Sequence, residues 1–259
     1  MKTIEFNNTL KKDYEDLYTC TKIRPDKLAD VDSIVNKIVK EKARYQAVGE
    51  PLGIPWYVIG IIHNMECGQR FTQHLHNGDP LTGKTIKVPK GRPRIGQPPF
   101  SWEESATDAL RCKNLDKVND WSLTRILYEL ERYNGWGYRL YYSHVNSPYL
   151  WSCSNHYTKG KYIADNEWSE TAVSQQIGAA TLLQRLEERN EINSLSELAP
   201  VNKPFFTLNN EEAKPRVEDL QCFLNTFDEV TLVVDGIPGT NTSKAVKMIF
   251  GNYLSNNLE

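Results

Sequence analysis

The sequence predicts a mostly helical α+β fold in two domains, and three observations lead to this. Apolar residues recur at helical spacing in several segments of the 259-residue chain. One segment rich in Gly and Pro, 71–100, interrupts these helices, and a polar, proline-containing stretch separates the end of the chain. We therefore expect a larger domain over 1–190, a linker over 191–214 and a small domain over 215–259.

Two helices are predicted before the interruption. The first spans about 28–46, where five aliphatic residues share one face: Val31, Ile34, Val35, Ile38 and Val39. The second begins at Pro55, which suits the first turn of a helix. It ends before Gly68, which suits the position just past a helix end.

The segment 71–100 is predicted to be a small β-rich insertion, with a short strand or hairpin edge at Thr82–Val88. Helices resume at Ser101, where Ser101 and Glu104 form a capping-box pattern. They continue at about 105–113, 121–133 and 169–189. The last of these would place four apolar residues on one face: Val173, Ile177, Ala180 and Leu183.

The end of the chain is predicted to fold as helix, tight turn and helix. Gly236 and Gly239 supply turn conformations that other residues resist, and Asp235 can bond the turn backbone.

Glu66 is the leading candidate for a functional residue. Ile59, Ile62 and Glu66 fall at i, i+3 and i+7, so the carboxyl ends an apolar stripe of the second helix. Desolvation on that stripe, together with the negative end of the helix dipole, should raise its pKa. A carboxyl that stays protonated near neutral pH is what a general acid requires. The alternative is a helix-terminal glutamate that turns its head group to water.

The composition excludes some classes of protein. The formal net charge of −2 argues against non-specific nucleic-acid binding. Five scattered cysteines without a CxxC pair resemble neither a disulfide framework nor a structural zinc site, and suggest a reducing compartment. The polar N-terminus predicts no secretory signal, and the longest apolar run, around 54–62, is too short to span a bilayer.

The C-terminal segment resembles the three-helix peptidoglycan-binding repeat. The residues that carry this resemblance are Leu220-Gln221, Val234-Asp235-Gly236, Gly239, Thr242 and Ala245-Val246. Pro238 departs from the pattern, which usually has an aromatic residue there. The resemblance implies a role in binding the cell wall, with most motif positions serving the fold.

The N-terminal domain resembles the lysozyme superfamily, and in particular bacterial and phage lysozyme-like proteins. Five stretches carry the resemblance: 63–66, 74–82, 130–139, 147–151 and 154–157. It implies a lysozyme-like catalytic domain over the first part of the chain.

In phage-type lysozymes an acid ends a helix, an aspartate follows on the β-insertion, and a threonine comes six residues later. Glu66, Asp79 and Thr85 fit this order, so the resemblance implies that all three are catalytic. The gap from Glu66 to Asp79 is longer than in that pattern and closer to goose-type lysozymes, and the glycine before Thr85 is displaced by one residue. Asp79 also has a structural interpretation, because Asn-Gly-Asp-Pro is a plain turn.

The loop from Tyr133 to Tyr138 resembles the Tyr-Asn-Gly element that lines the sugar groove of lytic transglycosylases. This implies substrate contacts from Tyr133, Asn134, Trp136 and Tyr138, because aromatic faces suit pyranose rings and Asn134 can bond an acetamido group. The alternative is that Trp136 and Tyr138 belong to the core.

His74 and His76 are expected to contact substrate or to stabilise their loop. With other histidines they could instead ligate zinc, which would suit a wall amidase or peptidase. Known zinc peptidase signatures are absent from the sequence, so we expect neither a metal nor a cofactor.

Together these resemblances imply a muramidase, which cleaves the β-1,4 bond between N-acetylmuramic acid and N-acetylglucosamine. The expected partner is peptidoglycan. The chain would be a monomer, made in the cytoplasm, that acts on the wall after lysis or non-classical export. Two alternatives are a lytic transglycosylase that acts on the same bond and a non-catalytic wall-binding protein.

Overall fold

The computed structural model describes residues 3–164, 167–195 and 214–250. The chain divides into two compact units, Met1–Ser196 and Glu197–Glu259, which we call unit 1 and unit 2. The fold is α+β and mostly helical, as the sequence predicts. Most of the predicted linker, from residue 196 to residue 213, lies outside the described residues. Every helix in the described ranges is too short or too polar to cross a lipid bilayer.

Unit 1 consists of helices and one small sheet. Its described helices are α1 (Asn8–Thr19), α2 (Leu28–Lys40), α3 (Lys42–Gly49), α4 (Trp56–Cys67), α5 (Trp102–Cys112), α6 (Leu123–Asn134), α7 (Gly137–Tyr141), α8 (Pro148–Trp151) and α9 (Ala179–Glu188). Two antiparallel strands, β1 (Lys161–Ala164) and β2 (Glu167–Ser169), form a hairpin between α8 and α9.

Helix α4 lies in the core of unit 1, and its ends follow from its sequence. Pro55 precedes the helix, and Gly68 ends it in the left-handed conformation, with φ 56°. Helices α2, α3 and α9 pack against it. A Cβ added at Gly60 would lie 2.7 Å from Ile38 Cγ2, so the close approach of α2 to α4 needs a glycine there.

The single helix predicted over about 28–46 is wrong, because two helices, α2 and α3, meet at Glu41. The apolar spacing continues in phase from Ile38 to Tyr45, and both side chains are fully buried. Periodicity therefore gave no sign of the break. The change of direction at Glu41 lets both helices pack on α4.

The β-rich insertion predicted over 71–100 is also wrong. These residues form turns and irregular loop with one isolated bridge, between Gln73 and Pro80, and Thr82–Val88 is not a strand. The apolar residues that suggested a strand face solvent, since Ile86 is 73% and Val88 81% exposed. The sheet of unit 1 instead lies at β1 and β2, far along the chain.

The later helices agree better with prediction. The capping box of Ser101 and Glu104 is present with both of its hydrogen bonds, and α5 and α6 cover the predicted segments closely. The helix predicted over 169–189 is too long, because α9 begins only at Ala179. At Gly178 an added Cβ would lie 2.2 Å from the Leu150 carbonyl oxygen, so the chain runs tightly along α8 there and is not helical.

Helix α1 is absent from the predicted elements. The side chains of Leu10, Tyr14 and Tyr18 form its buried face, but the many charged residues between them obscure this pattern in the sequence. The Asn7 side chain caps it by accepting a hydrogen bond from the Leu10 amide at 3.0 Å.

Unit 2 contains α10 (Lys214–Leu224) and α11 (Thr240–Phe250), which confirms the two predicted helices; residues 225–239 join them. Leu224, Val230 and Ala245 are buried between them. The described residues of unit 2 contain no third helix, and residues 197–213 and 251–259 lie outside them.

Candidate active site

Glu66 lies at the C-terminal end of α4, where the helix leaves the core. Ile59 and Ile62 on the same stripe are buried, whereas Glu66 is exposed. The hydroxyl of Tyr149, on α8, donates a hydrogen bond to Glu66 Oε1 at 3.0 Å. The apolar stripe thus brings the acid to the surface of the core instead of burying it fully.

The pKa of Glu66 is raised, because protein atoms around its carboxyl exclude water. The hydrogen bond from Tyr149 and the positive charge of Lys113 lower it and offset part of that rise. The residue as a whole is exposed, but its carboxyl faces the buried Tyr149, so the crowding acts on the group that titrates. The direction agrees with the prediction from sequence.

Lys113 and Tyr133 complete the surroundings of this carboxyl. The Lys113 ammonium donates to the Tyr133 carbonyl oxygen at 3.2 Å and lies 4.4 Å from the centre of the Tyr133 ring. Burial lowers the pKa of Lys113, and the charge of Glu66 opposes that change. Burial, with a further contribution from Glu66, raises the pKa of the Tyr133 phenol. Two phenols and one ammonium therefore surround the acid.

A cleft of about 640 Å³ lies next to Glu66. Five aromatic residues line it: Trp136, Tyr138, Tyr141, Tyr149 and Tyr162. Four polar or charged residues line it as well: Asn134, Lys161, Ser174 and Gln176. Tyr149 joins the cleft to the acid, because the same residue lines the wall and hydrogen-bonds to Glu66.

Three of the four residues predicted for the loop after α6 line this cleft. Asn134 is exposed, whereas Trp136 and Tyr138 are only 7% and 8% exposed. These two aromatic residues therefore belong both to the wall and to the packed interior. Tyr133 is buried and contacts Lys113 instead.

The β1–β2 hairpin forms another part of the wall, and aromatic packing holds it in place. The rings of Tyr142 and Trp168 stack with centres 3.6 Å apart. Tyr162 packs edge-on against Tyr138, with ring centres 5.5 Å apart. Gly137 permits this packing, since an added Cβ would lie 3.2 Å from the Tyr162 hydroxyl.

Asp79 lies in the loop over 71–100, and its carboxylate accepts hydrogen bonds from backbone amides of the same loop. Oδ2 accepts hydrogen bonds from the backbone amides of Ile86 at 2.8 Å and Lys87 at 2.9 Å. The Lys87 ammonium lies 3.8 Å from Oδ1. The pKa of Asp79 is lowered, chiefly by the Lys87 amide. In the predicted strand, the amides of Ile86 and Lys87 would have bonded to a neighbouring strand; here they bond to Asp79 instead. This arrangement fits the structural interpretation of Asp79.

Thr85 is buried in the same loop. Its hydroxyl donates to the Pro89 carbonyl oxygen at 2.5 Å and accepts from the Arg92 amide at 2.9 Å. Its own amide donates to the Arg92 carbonyl oxygen at 2.8 Å. Thr85 thus closes the turn from 85 to 92.

The two histidines that were expected to contact substrate or to stabilise their loop both have hydrogen-bond partners within unit 1. His74 Nε2 donates to the Gly83 carbonyl oxygen at 2.7 Å, and its Nδ1 lies 2.8 Å from the Ser105 hydroxyl oxygen, within hydrogen-bond distance. His76 Nε2 lies 2.9 Å from Asp108 Oδ2, and burial lowers the pKa of His76. Within the described ranges, no three His, Cys, Asp or Glu side chains come together as a metal site would need.

Sequence reasoning missed several residues around the acid and the cleft. Tyr149 was noticed only as part of a resembling stretch, and Lys113, Tyr141, Tyr162 and Gln176 were not singled out. Glu66 and Tyr149 are 83 positions apart, and no local pattern indicates such a contact. The three tyrosines among residues 138–142 were the available sequence signal for Tyr141.

In unit 2, residues that carry the resemblance to the peptidoglycan-binding repeat form hydrogen bonds with one another. The Gln221 side chain is 1% exposed; its Nε2 donates to Asp235 Oδ1 at 2.8 Å, and its Oε1 accepts from the Asp235 and Gly236 amides at 3.0 and 2.9 Å. Thr242 Oγ1 lies 3.2 Å from the same Nε2. The motif therefore explains how the turn folds.

Comparisons of the chain with protein-family models, with curated proteins and with solved structures find no match.

Proposed function

We propose that this chain is a lysozyme-like muramidase, in which Glu66 protonates the β-1,4 bond between N-acetylmuramic acid and N-acetylglucosamine. One observation carries the proposal: a carboxyl with a raised pKa lies beside a cleft with aromatic walls. A general acid of a glycosidase needs both the proton and a groove for the sugar chain.

The surroundings of Glu66 suit proton donation. The crowding that raises its pKa favours the protonated form before reaction. Once the proton has passed to the leaving oxygen, the carboxylate accepts the hydrogen bond from Tyr149 and faces the positive charge of Lys113. These two groups stabilise the charge that forms during the reaction.

The cleft suits a polymer of pyranose rings. Tyr141, 68% exposed, presents an aromatic surface on which a sugar can stack, and Asn134 supplies a carboxamide for polar substituents. Unit 2 would hold the enzyme on the insoluble wall and so raise its effective concentration there. In this proposal the chain acts as a monomer and reaches the wall after lysis or non-classical export.

A lytic transglycosylase is the second candidate, and the geometry of Asp79 favours it. Asp79 and Thr85 bind their own loop, and they are not among the residues that line the cleft. A transglycosylase needs one catalytic acid and no second carboxylate, because an internal hydroxyl of the substrate replaces water. If Asp79 were the second carboxylate in hydrolysis, it would have to give up its hydrogen bonds to the loop amides and bind a water or a sugar instead.

The substitution Glu66→Gln tests the proposal. It removes the proton but keeps the shape, so release of fragments from purified sacculi should fall by at least about a hundredfold. Glu15→Gln, at an exposed position on α1, is the matched control and should leave the rate unchanged. If Glu66→Gln released fragments from sacculi at the wild-type rate, the proposal would be wrong.

Mass spectrometry of the products separates the candidate functions. Hydrolysis adds one water to each cleaved bond, whereas transglycosylation leaves an anhydro end of lower mass. If the wild-type protein binds sacculi but releases no fragment, the chain is a non-catalytic wall-binding protein.

A further inference from the structure

Gln176 lies in the loop between β2 and α9, and it lines the cleft. Its side-chain Nε2 donates a hydrogen bond to the Met65 carbonyl oxygen at 2.7 Å, one residue before Glu66. We propose that the Gln176 carboxamide binds the N–H of a substrate 2-acetamido group next to the bond that is cleaved. This inference rests on the proposed function and specifies what the cleft recognises.

The loop holds Gln176 in a fixed place although it is irregular. The Ser174 amide donates to the Tyr157 hydroxyl at 3.0 Å, and the Ser152 hydroxyl donates to the Ser174 carbonyl oxygen at 3.3 Å. On the other side, the Gly178 amide donates to the Ser152 carbonyl oxygen at 3.0 Å. Gln176 is therefore held from both sides, and a preorganised group loses little entropy when it binds a ligand.

The contact with Met65 also fixes which way the carboxamide faces. A carbonyl oxygen only accepts, so the atom that faces Met65 is the NH₂ group of Gln176. The planar amide then directs Oε1 away from α4. Gln176 is exposed and lines the cleft, so in this proposal Oε1 is the acceptor at the cleft wall.

An acetamido group complements the polar atoms of this wall. Its N–H needs an acceptor, which Oε1 of Gln176 supplies, and its carbonyl needs a donor, which the exposed Asn134 carboxamide can supply. An amine at the same sugar position would be an ammonium ion, with no carbonyl for Asn134. The cleft would therefore discriminate N-acetylated from de-N-acetylated glycan close to Glu66.

The test compares Gln176→Met with wild type on the same glycan strands before and after chemical N-deacetylation. On N-acetylated strands, kcat/KM of the variant should fall about tenfold, as expected for loss of one well-placed hydrogen bond. On de-N-acetylated strands, variant and wild type should agree within about twofold, because the partner group is missing there. Gln175→Met, at the neighbouring exposed position, is the matched control and should change neither rate.

Two results would overturn the inference. An equal loss on both strands would mean that Gln176 only supports its loop, and no loss on either would mean that it recognises nothing. Both leave the muramidase proposal standing as long as Glu66→Gln is inactive. Full activity of Glu66→Gln would instead remove the proposed function, whatever Gln176 does.

Inhibition of the wild-type protein gives a second measurement that needs no variant. N-acetylglucosamine oligomers should inhibit cleavage at concentrations about tenfold lower than glucosamine oligomers of equal length. Equal inhibition by the two would contradict the inference.

Discussion

At the scale of single residues, the hydrogen bond from Tyr149 to Glu66 matters most for the proposed chemistry. It is the largest contribution that lowers the pKa of Glu66, against the rise caused by desolvation. A general acid must carry its proton, so activity should decline as pH rises through the pKa of Glu66.

Tyr149→Phe should move that high-pH decline of kcat/KM to higher pH. The variant loses the hydroxyl that favours the carboxylate, so the pKa of Glu66 rises further. The measurement is the pH profile of kcat/KM on peptidoglycan fragments. Tyr18→Phe is the matched control, because it removes a similar bond, from Tyr18 to Glu187 Oε2 at 2.8 Å, elsewhere in unit 1. An unchanged profile in Tyr149→Phe would contradict the role given to this contact.

At the scale of elements, the sequence predicted helices well where the signal was local. The ends of α4 and α5 follow from Gly68 and from the capping box at Ser101, and both were predicted correctly. The loop over 71–100 was not, because its backbone bonds to the side chains of Asp79 and Thr85 instead of to a neighbouring strand. An alternating pattern cannot show which partner an amide will find.

Asp79→Asn should destabilise unit 1 at neutral pH. The folded-state pKa of Asp79 is lowered, so its carboxylate contributes stability above the ordinary value of 3.8. That contribution is lost as pH falls through the lower, folded-state pKa, and the difference between variant and wild type should then vanish. Thermal unfolding across this acid range measures the effect, with the exposed Asp30→Asn as control.

The same variant decides between the two interpretations of Asp79. Loss of cell-wall cleavage with unchanged melting at neutral pH would favour a catalytic Asp79. Lower melting with activity retained below the transition would favour a structural one.

At the scale of the whole molecule, the division into two units predicts two separable unfolding transitions. Gln221→Leu should lower only the transition of unit 2. The change leaves the amides of Asp235 and Gly236 without the acceptor they now share. The Gly236 amide is buried, and an unsatisfied buried donor costs about 1–3 kcal/mol. Calorimetry measures both transitions, and Lys244→Gln, exposed on α11, is the control.

The loss of unit 2 should also separate binding from cleavage. Gln221→Leu should pellet poorly with sacculi above the lowered transition but still cut soluble glycan strands at the wild-type rate. Equal loss of both would mean that unit 2 takes part in cleavage itself.

Among the described residues, those that line the cleft all come from one stretch of chain, 134–176, whereas Glu66 comes from a distant helix. The acid and the surface that would choose the sugar therefore lie in different parts of the chain, and Tyr149, which belongs to the stretch, connects the two. Exchange of this one stretch with Tyr149 retained would alter substrate preference while the acid, its helix and its hydrogen bond stay unchanged. Evolution or protein engineering could then diversify specificity by replacing a single segment.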